Sequence, residues 1–151
     1  MNKQNLNKLV NQWQVSMKFG TREEWENRPE KLIWKNNCPF CEHENLKDFI
    51  LWTWKYWYVI ENKYPYTGDN RHLLLIPKNH CETSTEIPAQ VWSELQEAHT
   101  FIKNFYWSSE YFSFKRETFW ERSIKHYHMH FLPWVITVQP IIQQLKNQWI
   151  I

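Results

Sequence analysis

The chain has 151 residues with 18 basic and 16 acidic side chains, a formal net charge of +2. It is therefore the size of one domain and has no charge excess to make it a general nucleic-acid or membrane-surface binder. No apolar run approaches the ~20 residues that span a bilayer and no secretory pattern opens the chain, so a cytoplasmic protein is expected.

In chain order, Leu6, Leu9, Val10, Trp13 and Met17 recur at helical spacing, and Gly20 is placed to stop that helix. Thr21-Arg22-Glu23-Glu24 reads as a capping box that starts a second short helix before Pro29. Cys38-Pro39-Phe40-Cys41 follows, and then an aromatic, β-branched stretch from Phe49 to Ile60 predicts one or two strands. Tyr64 to Asn70 is turn chemistry, and His72 to Ile76 is a short apolar strand ended by Pro77. Pro88 opens the clearest helix, with Val91, Trp92, Leu95, Ala98, Ile102 and Phe105 along one face. Tyr111 to Lys115 and Tyr127 to Leu132 are predicted strands. After Pro133 a helical tail restarts at Pro140, where Ile141, Leu145 and Trp149 form a stripe suited to packing on the body or on a second subunit.

Tryptophan occurs 11 times, which points first to core and dimer packing and second to a stacking surface for bases. Glycine occurs only twice, so a phosphate-binding loop here cannot be glycine-rich. Three cysteines, two of them in the CxxC, fit a reducing compartment and a metal or redox role better than a disulfide framework. A thioredoxin-type role is disfavoured because no βαβ pattern surrounds the motif.

The most informative segment is His126-Tyr127-His128-Met129-His130-Phe131. On a strand, alternate side chains share a face, which would place three imidazoles on one side and the aromatic and apolar residues on the other. Imidazoles fill a core poorly because each brings polar atoms that need partners. They suit metal, nucleophilic and acid–base work near neutral pH. Three on one strand cannot easily converge on a single ion, since the outer pair lies about 13 Å apart at the rise of a strand. A nucleophile flanked by a donor for the leaving group needs only this spacing.

The run from Asn62-Lys63-Tyr64-Pro65-Tyr66 through Arg71-His72-Leu73-Leu74-Leu75-Ile76-Pro77-Lys78-Asn79-His80, then the histidine strand, then Leu132-Pro133-Trp134, resembles the histidine-triad (HIT) superfamily. The Asn-x-Tyr-Pro-Tyr and Leu-Pro-Trp pieces are most similar to its diadenosine-polyphosphate hydrolase and phosphorylase branch. The resemblance covers residues 36–134, leaving 1–35 as a helical N-terminal extension and 135–151 as a C-terminal tail. It implies an α+β fold with an antiparallel sheet of about five strands and one long packed helix, often paired into a homodimer. It also implies a nucleotide phosphohydrolase or nucleotidyl transferase acting at the α-phosphate, with a purine nucleotide favoured. A non-catalytic nucleotide-binding module and a zinc-stapled interaction protein are the alternatives.

Carried over by position, His128 matches the family's nucleophile and His130 the group that contacts phosphate and assists the leaving group. His72 matches the upstream histidine beside the site, Asn62 the ribose contact and Ser123 the hydroxyl of the phosphate loop. That loop departs from the family: Glu121-Arg122-Ser123-Ile124 stands where Gly-x-Ser/Thr is usual. Glu121 brings negative charge toward an anion, and Arg122 or Arg116 could restore a phosphate contact through guanidinium. Some relatives hold zinc with a CxxC, the histidine after the Pro-Lys-x motif and the first triad histidine. The matching residues are Cys38, Cys41, His80 and His126, with His43 and Cys81 as rivals.

Overall fold

The computed structural model describes residues 19–27, 38–67, 70–107, 109–117, 123–134 and 138–149. The expected helix over residues 6–17, and Glu121 and Arg122, lie outside them. The described elements are α1 (Arg22–Glu26), α2 (His43–Leu46), β1 (Ile50–Thr53), β2 (Trp57–Glu61) and β3 (Leu73–Pro77). A 3₁₀ turn (Ser84–Glu86), α3 (Ala89–Trp92), α4 (Leu95–Tyr106), β4 (Phe112–Lys115), β5 (Met129–Leu132) and α5 (Val138–Asn147) follow.

The five strands form one antiparallel sheet in the order β1-β2-β3-β5-β4. The aromatic stretch is indeed two strands, joined by a tight turn in which the Trp54 amide donates to the Trp57 carbonyl. Strand β3 is central and buried along its whole length, which is why it reads as an unbroken apolar run instead of an alternation. Its two faces feed two cores. Leu73 and Leu75 join Trp57, Val59 and Phe131 beneath Ala98 and Ile102 of α4. Leu74 and Ile76 join Ile60, Trp25, Phe40 and Phe49 on the other side. The long helix thus occupies one face, and the N-terminal segment with the CxxC loop occupies the other.

Helix α1 starts with the expected capping box. Thr21 Oγ1 accepts from the Glu24 amide at 3.1 Å and Glu24 Oε2 from the Thr21 amide at 2.6 Å. The single helix expected from Pro88 is instead two. The Trp57 indole N–H donates to the Val91 carbonyl at 2.7 Å, taking the acceptor that the Leu95 amide would use in a continuous helix. The buried Glu94 carboxylate accepts from the Tyr56 amide at 2.9 Å, anchoring the break to the β1–β2 turn. The tail helix begins two residues before Pro140, which sits in the first turn where no intrahelical N–H is required.

The histidine strand is also shorter than expected, beginning at Met129 rather than Tyr127. Continuing the β3–β5 register would set Tyr127 against Pro77, which has no N–H to give. The chain departs there, and the Tyr127 amide donates to the Cys81 carbonyl at 2.7 Å. Facing is nevertheless preserved. Tyr127, Met129 and Phe131 pack in the α4-side core, while His128 and His130 line a cavity on the opposite side.

Candidate functional site

Two centres meet at the start of β5. The first gathers Cys38 and Cys41 from the loop before α2, His80 from the turn after β3 and His126. Cys38 Sγ lies 3.4 Å from His126 Nδ1, and Cys41 Sγ lies 3.4 Å from that atom and 3.2 Å from His80 Nδ1. All four donor atoms fall within 4.8 Å of one another, close enough to bind a metal ion. A tetrahedral zinc site, with bonds of ~2.3 Å to sulfur and ~2.0 Å to nitrogen, separates neighbouring N and S donors by about 3.5 Å. The cluster is compatible with those edges.

The His126 Nε2–H donates to the Pro77 carbonyl at 2.8 Å, which leaves the lone pair on Nδ1, the atom turned to the sulfurs. Burial, reinforced by the nearby His80 and His128 rings, holds the His126 imidazole down to about 4. Burial likewise pushes the Cys38 thiol up to about 12. Without an ion Cys38 and His126 therefore rest in their neutral forms. Of the rivals, Cys81 is buried in the α4-side core, and the exposed His43 packs its ring on Tyr58.

The second centre is a cavity of about 280 Å³ whose lining includes Asn62, Tyr66, Ser123, His128 and His130. A small recess of about 20 Å³, lined by Arg116, Tyr66, Ser123 and both histidines, adjoins them. The hydrogen bonds of the histidines assign their tautomers. His128 Nδ1–H donates to the His126 carbonyl at 2.7 Å, so its lone pair is on Nε2. His72 Nδ1 accepts from the Tyr66 amide at 3.1 Å and faces the Asn62 amide nitrogen at 3.1 Å, so the His72 proton is on Nε2. That proton is donated to His130 Nδ1 at 2.9 Å, which puts the proton of His130 on Nε2. The two cavity imidazoles, with centroids 4.8 Å apart, thus carry opposite tautomers. Phe114 (4.5 Å, 1°) and Tyr66 (5.7 Å, 9°) stack parallel to His130 and fix its plane.

The structure brings together His128, His130, Asn62 and Ser123 on the lining of one cavity. His72 is fully buried and reaches the cavity through His130, while Arg122 lies outside the described residues. Asn62 has Oδ1 on the Tyr64 amide at 2.9 Å and Nδ2 toward His72. Sequence reasoning missed the apolar wall formed by Trp25, Phe40, Leu46, Phe49 and Ile60, together with Asn45 beside it. Only a three-dimensional signal could have found these residues, because they come from α1, α2, β2 and the loops on either side of α2.

The antiparallel sheet, the long helix packed on it and the histidines at β5 define a protein of the histidine-triad fold. A hypothetical protein from Leishmania major is similar with TM-score 0.57 and 15% identity, over 76% of this chain and 95% of that one. A histidine-triad protein from Clostridium difficile gives TM-score 0.53 and 16% identity, over 70% and 96%. A HIT family hydrolase from Clostridium thermocellum gives 0.53 and 21%, over 68% and 94%. Residues 22–133 match the family described as "Domain of unknown function (DUF4931) N-terminal domain", and the chain belongs to that family. No curated protein matches it in sequence. Among the described residues no helix is long and apolar enough to cross a membrane.

Proposed function

We propose that this protein is a nucleotide phosphohydrolase or nucleotidyl transferase that works through a covalent nucleotidyl-His128 intermediate. The observation that carries this reading is the opposed pair of tautomers at the cavity: a lone pair on His128 Nε2 beside a proton on His130 Nε2. His128 Nε2 attacks the α-phosphorus of a bound nucleotide, and the bond from phosphorus to the leaving group breaks. The His130 Nε2–H donates a hydrogen bond to the leaving-group oxygen, which departs as its anion, so His130 stays a neutral imidazole. Water or another acceptor then attacks the phosphorus and gives its proton to the departed anion or to solvent, and the P–N bond to His128 breaks. The imidazolium formed in between keeps its Nδ1–H on the His126 carbonyl, which offsets its charge.

Asn62 can still offer a second lone pair and a second proton to ribose hydroxyls. Ser123 and the guanidiniums of Arg116 and Arg122 suit phosphate oxygens. The hydrolase name of the Clostridium thermocellum relative supports the enzyme class. The Asn62-Lys63-Tyr64-Pro65-Tyr66 and Leu132-Pro133-Trp134 runs support the diadenosine-polyphosphate branch. The metal is proposed to be a structural zinc held by Cys38, Cys41, His80 and His126, where it supplies a cross-link between the CxxC loop and β5. A reducing, cytoplasmic setting keeps those thiols available; no disulfide joins Cys38, Cys41 and Cys81 among the described residues. A homodimer is proposed on the half-exposed Ile141 and the exposed Trp134 and Trp149, which a second copy would cover.

The test is incubation with adenosine and guanosine phosphoramidates, dinucleoside polyphosphates and nucleotide sugars. Mass spectrometry of the quenched protein should find a nucleotidyl adduct on His128. Binding of AMP or GMP with no turnover of any substrate would select the non-catalytic module, and no binding the interaction protein.

A further inference from the structure

The cavity wall away from the histidines contains one residue from the N-terminal addition and one from α2 that together suggest what it selects. Trp25 of α1 is 8% exposed, lines the cavity and packs 5.1 Å from the Tyr64 ring. Its helix is seated firmly. The Gly20 amide donates to the Lys63 carbonyl at 2.9 Å, and Gly20 approaches so closely that a Cβ there would fall 2.3 Å from the Tyr64 ring. Trp25 is therefore a fixed apolar surface.

Asn45 of α2 also lines the cavity, and its amide nitrogen donates to Glu42 Oε2 at 2.5 Å. A carboxylate only accepts, so this bond fixes the amide orientation and uses one of its two N–H donors, with Oδ1 as the acceptor Asn45 can offer a ligand. The Glu42 charge behind the amide makes that oxygen a better acceptor. A volume of about 280 Å³ is at the low end for ligand pockets, typically ~300–1,000 Å³, and suits one nucleoside better than two.

We propose that Trp25 and Asn45 form a base-selecting wall, Trp25 packing on the base and Asn45 Oδ1 accepting from its exocyclic amino group. The inference rests on the nucleotide reading above and extends it to a substrate class: amino-bearing purine nucleotides, in preference to hypoxanthine or uracil. Hypoxanthine lacks the amino group of both adenine and guanine, which makes it the common reference.

Calorimetric binding of AMP, GMP, IMP and UMP to the full chain tests this. The better of AMP and GMP should bind about three- to tenfold more tightly than IMP, the scale of one hydrogen bond, with UMP weakest. Asn45→Ala should erase the preference over IMP while keeping the melting temperature, because Asn45 is exposed. Trp25→Phe, which retains a ring, should weaken all purine nucleotides by a similar factor and leave the IMP ratio unchanged. Equal affinities for AMP, GMP and IMP, or a preference that survives Asn45→Ala, would overturn the base-selecting wall and leave the nucleotide reading standing. Failure of every nucleotide to bind the wild-type chain would overturn both.

Discussion

His72 Nε2 lies 2.9 Å from His130 Nδ1, and this one contact sets which nitrogen of His130 carries its proton. Because His72 Nδ1 is occupied by the Tyr66 amide, the shared proton belongs to His72 and the proton of His130 must sit on Nε2. In the proposed mechanism His72 is therefore a positioning residue, buried and at one remove from the cavity. His72→Gln is expected to lower kcat about ten- to a hundredfold, with nucleotide affinity changed less than about threefold. The loss should be largest for substrates with poor leaving groups, which depend most on the His130 hydrogen bond. An equal loss for good and poor leaving groups would mean that His72 acts only on packing.

His128→Ala should abolish turnover and adduct formation while nucleotide affinity and melting temperature stay near wild type, since it removes only the bond-forming atom. His130→Ala should slow the reaction by about 10²–10³-fold, the usual scale of a lost hydrogen bond to developing charge. His126→Ala should behave as a stability defect. Substantial turnover by His128→Ala, with activity lost and metal retained in His126→Ala, would show the roles along this segment to be misassigned.

Acid should destabilise the metal-free protein over a defined window. Burial first, then the neighbouring His80 and His128, hold His126 near 4 in the fold, against ~6.5 in the unfolded chain. Between those values the unfolded state binds a proton that the folded state refuses. Stability is therefore full above pH ~6.5 and falls by about 3 kcal/mol as pH drops through 4. Urea midpoints of chelator-treated protein at pH 7.5, 6 and 4.5 should decline in step, and His126→Asn should flatten the profile. Equal midpoints at pH 7.5 and 4.5 would remove this account.

Association is checked by sedimentation. Ile141 and Leu145 recur along one side of α5, with Ile141 49% and the following Trp149 94% exposed, surface that a second copy could bury. The expected species has twice the chain mass, and Ile141→Glu should shift it toward monomer. A clean monomer at micromolar concentration would exclude the homodimer.

Much of this architecture was legible because it is encoded locally. The Leu73–Ile76 run announces a strand buried on both faces, and the alternation of Tyr127, Met129 and Phe131 with histidines announces two faces. The capping box at Thr21 and the spacing of Cys38, Cys41, His80 and His126 were readable in the same way, the last through a family resemblance. What escaped depends on tertiary partners. The helix breaks after Trp92 because the Trp57 indole takes the Val91 carbonyl, and β5 starts late because Pro77 has no N–H to give it. Trp25 and Asn45 carry no periodic or motif signal for a cavity wall, and the tautomers of His72, His128 and His130 follow only from contacts across the fold.

The Cys38, Cys41, His80 and His126 cluster and the histidine-lined cavity share Phe40, which joins their fates. Phe40 lies inside the CxxC, its ring 5.8 Å from His126 and 5.3 Å from His128, and it lines the cavity. Within the loop, one backbone bond, from the Cys41 amide to the Cys38 carbonyl at 3.1 Å, closes the turn. A metal bound by both cysteines would cross-link that turn to His80 and His126, so its removal should release Phe40 as well. Protein purified without chelator is expected to contain about one zinc per chain. Chelation, or Cys38→Ala, should lower both melting temperature and AMP affinity, the latter about tenfold or more, and added zinc should restore both to the chelated wild type. Phe40→Leu should weaken AMP binding while zinc content stays unchanged, which separates the ring's contribution from the ion's. Full zinc occupancy in Cys38→Ala/Cys41→Ala would show the ligand set to be wrong. AMP affinity indifferent to chelation would show that the cavity keeps its shape without the metal.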